Sequence, residues 1–90
     1  MNNKVALESL SMDLKRVALG YHRGSTKMAE RFIEEALKRE KEIDHSLLKP
    51  YMQNILKNME SSLNKDDKNA VSESSLLMST LVQNYTQTFL

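Results

Sequence analysis

The sequence predicts an all-α protein, a small antiparallel up-down four-helix bundle. Three observations carry that expectation. Gly occurs twice and Pro once in 90 residues, so turns are few and elements long. Apolar residues recur at helical spacings of three and four rather than at the alternation of a strand. With no Trp, three Tyr and two Phe, the core must be built mainly from Leu, Ile, Val, Met and Ala. Ninety residues make one domain, expected over 1–90, with one modest core and no room for a large internal cavity.

The first helix is expected over about residues 4–22. Leu7, Leu10, Leu14, Val17 and Tyr21 form one stripe with spacings of 3, 4, 3 and 4. Val5, Met12 and Leu19 repeat every seven residues on nearly the opposite face. A helix that is apolar on two sides either lies between neighbours or offers one side to a partner. Gly20 and Gly24 bracket its exit, and Gly24 suits a left-handed cap.

Ser25 or Thr26 can cap the second helix, expected over 26–43. Its core stripe is Ala29, Phe32, Ile33, Ala36, Leu37 and Ile43; the remaining face is almost entirely charged, with Glu34–Lys38 and Glu35–Arg39 in the favourable i,i+4 order. Asp44, His45 and Ser46 break the pattern, and Pro50 fits the first turn of a third helix. That helix is expected to reach 62–64 on Leu48, Met52, Ile55 and Met59, widened by Leu47, Tyr51, Leu56 and Leu63. The polar, Asx-rich stretch 64–69 is a loop. The fourth helix starts near Asp67 on Val71, Met78, Val82, Tyr85 and Phe89, broadened by Leu77 and Leu81 and expected to fray beyond Tyr85.

Charge is distributed unevenly. All 13 Lys and Arg and all 12 Asp and Glu lie between Lys4 and Glu73, and residues 74–90, SSLLMSTLVQNYTQTFL, carry none. Solvated helix surface is normally charged, so this segment is expected to pack against the rest of the chain or another copy. The alternative architecture is a three-helix core whose C-terminal helix pairs between protomers.

Several function classes find little support. A net charge of +1 does not suggest a nucleic-acid coat or a polybasic membrane anchor. Glu8 and Asp13 interrupt any signal-peptide core, and no apolar run approaches the ~20 residues that span a bilayer. The chain lacks Cys, which favours a reducing, cytoplasmic setting. No nucleophile elbow or Ser/His/Asp spacing is present. Glu42 and His45 form a single Glu-x-x-His, whereas di-metal bundles use two such pairs plus further glutamates. No enzyme activity, cofactor or metal is therefore expected.

Two surfaces stand out. Val5, Met12 and Leu19, with Leu77, Leu81, Asn84 and Thr88 of the last helix, are the expected interaction surface of a non-enzymatic protein–protein interaction or regulatory module. Its expected partner is a second copy in a homodimer, with another protein as a further candidate. The rival is a weak anion- or nucleic-acid-binding site at the basic turn. Arg16, His22, Arg23, Ser25, Thr26 and Lys27 lie where no acid occurs between Asp13 and Glu30, and Arg31 follows one turn on. Ordinary helix capping accounts for the same residues, and no recognition helix or stacking platform accompanies them.

Overall fold

Helix α1 (Asn3–His22) begins where the Asn2 side chain accepts the Val5 N–H at 2.9 Å. It ends in a Schellman turn: Gly24 sits at φ 77°, Ser25 N–H donates to the Gly20 carbonyl at 2.8 Å, and Gly24 N–H donates to that of Tyr21 at 3.1 Å. The turn folds the chain back closely. A Cβ on Gly20 would stand 2.7 Å from the Ala29 backbone nitrogen, so only glycine lets the next helix lie there. The computed structural model describes residues 2–90 and holds no strand among them.

Ser25 caps α2 (Thr26–Lys41) by accepting the Met28 N–H at 3.3 Å. The helix stops short of Ile43, which is nevertheless buried after leaving it. Ala29 and Ala36 are fully buried, whereas Phe32, Ile33 and Leu37 are half-buried at the core's edge. Asp44 caps a 3-10 turn (His45–Leu47), and Asn3 clamps it to the start of α1 by exchanging two 2.9 Å bonds with the Asp44 backbone.

The expected third helix is two. α3 (Pro50–Lys57) and α4 (Met59–Leu63) meet at Asn58, at φ −92°, ψ −1°. Asn competes poorly for a helix interior because its amide offers the backbone other partners. The core stripe is Leu48, Met52, Leu56, Met59 and Leu63, while Ile55 is half-buried and Leu47 and Tyr51 are exposed. Leu47 is 72% exposed because it lies in the 3-10 turn, whose three-residue period does not continue the α-helical stripe.

Asp67 caps α5 (Lys68–Phe89), accepting the N–H groups of Asn69 and Ala70. The helix stays regular through Phe89 instead of fraying beyond Tyr85. The Tyr85 hydroxyl accepts the Lys49 N–H at 3.0 Å, its ring lies between those of Tyr51 and Phe89, and the Lys49 ammonium stands 4.7 Å from the Phe89 ring centroid.

Helix α1 runs along both α2 and α5, while α4 and α3 touch α5 and each other. Its stripe Leu7, Leu10, Leu14 and Val17 is wholly buried with Met52, Met59, Val71 and Val82. Each such side chain contributes about 1.5–3 kcal/mol relative to exposure. Small residues set the α1–α5 spacing: Ser11 meets Ser79, and the Ser72 hydroxyl reaches the Ala18 carbonyl at 3.5 Å. The uncharged segment thus packs on α1 of its own chain. Its buried Ser75 and Thr86 donate within α5, to the Val71 and Gln83 carbonyls. Among the described residues no helix is long and apolar enough to cross a membrane.

Candidate interaction surface

With its core stripe buried and α2 and α5 at its sides, α1 keeps one free face. Val5 (45% exposed), Met12 (53%) and Leu19 (37%) lie along it. Leu76 of α5, 52% exposed, joins them: Leu19 and Leu76 line one shallow cleft of about 240 Å³ with Lys15, Ala18, His22 and Ser72. A second cleft of about 230 Å³ continues along the α1–α5 seam, between Glu8, Met12 and Lys15 on one side and Gln83 and Gln87 on the other. The face therefore has an apolar centre, a rim of one acid and one base on α1, and an uncharged flank on α5.

The seven residues read from the sequence do not form one surface. Val5, Met12 and Leu19 share the α1 face. Leu77 is 60% exposed, but it follows Leu76 by one residue and so points about 100° around α5. Asn84 and Thr88 are exposed and Leu81 half-buried on that other side. Neither seam cleft includes any of the four. Leu76, Gln83 and the Glu8–Lys15 rim are the residues that sequence reasoning passed over. The spacing Leu76, Gln83, Gln87 was visible, but nothing local ties that side of α5 to α1.

The α2 side of α1 is polar and crowded. Asp13 is buried at 5% exposure, with Arg16 Nη1 3.6 Å from one carboxylate oxygen and Arg39 Nε 3.9 Å from the other. Neither Asp13 Oδ2 nor Arg39 Nε has a hydrogen-bond partner. Burial pushes the Asp13 carboxyl up from its usual value; Arg39 and Arg16 pull it back, and Glu35 adds to the rise. Arg39 also reaches Glu42 at the end of its own helix, at 3.2 Å, so the expected Glu35–Arg39 pair gives way to Asp13 across the α1–α2 interface and Glu42 three residues on.

The structure disperses the basic turn. Arg16 and Arg31 both lie over Phe32, at 5.3 and 5.7 Å from its centroid. The Ser25 hydroxyl is taken up in capping. His22, Arg23 and Lys27 are exposed, and Thr26 accepts a bond from Lys68 Nζ at 3.3 Å. Of the predicted set, only His22 and Thr26 share a cleft, about 330 Å³, with Lys68 and Asn69 at the start of α5.

A cleft of about 580 Å³ lies beside the α3–α4 kink among Leu37, Glu40, His45, Gln53, Lys57 and Glu60. His45 Nε2 pairs with Glu40 Oε1 at 2.9 Å, and Glu42 turns to Arg39, so the Glu-x-x-His spacing does not bring Glu42 and His45 onto one point. No Ser or Thr lines the cleft to serve as a nucleophile for the His45–Glu40 pair. Among the described residues no three His, Asp or Glu side chains gather to hold a metal ion. No protein-family model, curated protein or solved structure matches the chain.

Proposed function

We propose that this chain is a non-enzymatic helical interaction module: an antiparallel up-down four-helix bundle that self-associates through the free face of α1. The observation that carries this reading is the apolar heptad Val5, Met12 and Leu19, left open on a helix whose opposite stripe is wholly buried. Side chains at seven-residue spacing on one helix face are suited to docking another helix. Leu76 widens the same face from α5. The basic turn supports anion binding less, because two of its three arginines, Arg16 and Arg31, stack on Phe32 and its serine caps a helix.

Sedimentation equilibrium at low and high protein concentration tests the proposal. Self-association is expected to rise with concentration and to be lost in Met12→Glu and Leu19→Glu. Both positions are exposed, so circular dichroism should remain that of the folded helical protein. A wild-type chain that stays monomeric throughout would overturn the reading. So would variants that fold and associate as the wild type does.

A further inference from the structure

Given that self-association, we infer that the partner is a second copy docked antiparallel on α1, with the two-fold axis at Met12. Val5 and Leu19 lie the same number of residues before and after Met12. In a two-fold pairing of antiparallel helices, a residue some places before the axis meets the residue as many places after it. Val5 then faces Leu19 of the partner subunit and Met12 faces its own counterpart. Leu19 shares its cleft with Leu76, so Val5 of the partner subunit enters an apolar slot between two leucines.

The charges on the rim select this direction. Glu8 and Lys15 lie seven residues apart on the α5 side of the stripe, and both border the cleft beside Met12. In the antiparallel two-fold arrangement each flank meets the same flank of the other copy. Glu8 comes level with Lys15 of the partner subunit, within one residue or about 1.5 Å along the axis. The pair occurs twice by symmetry. A parallel two-fold pairing sets each flank against the opposite flank of the other copy: Glu8 then lies level with Ser9 of the partner subunit and Lys15 with Arg16 of the partner subunit, so the acid loses its pair and two bases face each other, which is destabilising.

The α2-side flank agrees. It carries Ser9 and Arg16, and the antiparallel register sets Arg16 near Ser9 of the partner subunit rather than beside Lys15 of the partner subunit, as a parallel pair would. The same symmetry brings the outer sides of the two α5 helices together. This helix has no charged residue beyond Glu73, so two copies can approach there without like-charge repulsion. The uncharged C-terminal third thereby serves two contacts: hydroxyl-rich packing on α1 inside the chain, and a neutral flank between copies.

The chain has no cysteine, so single introduced cysteines report the register directly. On mild oxidation Met12→Cys is expected to form a disulfide-linked dimer. Val5→Cys alone and Leu19→Cys alone are not, because fourteen residues place like positions about 21 Å apart, far beyond the ~7 Å a disulfide can span between Cα atoms. Mixed together, those two variants are expected to cross-link to each other. Glu8→Lys and Lys15→Glu should each weaken the dimer by roughly tenfold at low salt, and the double exchange should restore it to within about twofold. Self-cross-linking of Val5→Cys as readily as Met12→Cys would show a parallel pair and overturn the inference. A wild-type dimer in which none of the three cysteines cross-links would also overturn it while leaving self-association intact. A monomeric wild type would instead remove the reading beneath it.

Discussion

Ser11 and Ser79, 68 residues apart in sequence, each donate a hydroxyl to the other's backbone carbonyl, at 3.0 and 2.8 Å. The two oxygens themselves lie 3.3 Å apart. This reciprocal clasp sits where α1 and α5 pack, and it explains why the last helix can be uncharged without being greasy. A hydroxyl that bonds a neighbouring helix carbonyl is satisfied in the core, and its small side chain lets the two backbones approach.

Removing either hydroxyl should be felt, and enlarging the side chain should be felt more. Ser11→Ala and Ser79→Ala are each expected to lower stability by about 1 kcal/mol. Their effects should fall short of additive, because each removes part of one shared network. Ser79→Leu should cost about 1–3 kcal/mol or more by prising α5 from α1. Urea denaturation of the two single variants, the double variant and the wild type gives all of these values.

Both glycines are expected to resist alanine, for different reasons. Gly24→Ala has open space but must hold a φ of 77°, which costs about 1–2 kcal/mol. Gly20→Ala gains about 1 kcal/mol of helix propensity. It also places a methyl 2.7 Å from the Ala29 nitrogen, a backbone atom that cannot move without shifting α2. Thermal melts should show both variants less stable than the wild type, with Gly20→Ala the worse.

Asp13 should make stability depend on pH in an unusual direction. Its carboxyl is raised above 3.8 in the folded chain, chiefly by burial, so the native state holds the proton more tightly than the unfolded chain does. Its contribution is therefore best below 3.8 and declines as pH rises from there through the raised value. Asp13→Asn is expected to gain on the wild type as pH rises from acid to neutral. Paired melting curves at several pH values check the sign. A difference that narrows toward neutral pH would contradict it.

Tyr85 holds the start of α3 to the end of α5. Tyr85→Phe keeps the ring between Tyr51 and Phe89 but removes the acceptor of the Lys49 N–H. A loss of about 1 kcal/mol is expected. Hydrogen exchange should quicken at Lys49, with the centre of α1 unchanged.

Local spacing was enough to place α1, the turn at Gly24, a cap at Ser25 or Thr26 and the start of α5 near Asp67, because these depend on neighbours within a turn or two of helix. It was also enough to show that Val5, Met12 and Leu19 occupy a face apart from the core stripe. The packed chain was needed for everything that depends on which side of one helix meets another. Leu76 and Leu77 are adjacent leucines of equal hydropathy, and only the Ser11–Ser79 and Ala18–Ser72 contacts, which orient α5 against α1, put Leu76 and not Leu77 beside Leu19. In the same way Arg16 and Arg31 read as part of a basic turn, and Arg39 as half of a solvated helix pair with Glu35. Their partners, Phe32 and Asp13, lie partly across the α1–α2 interface, where burial and not spacing sets the interaction. Periodicity records how far a residue lies around its own helix axis; the angle at which that axis meets its neighbours comes from packing between distant segments.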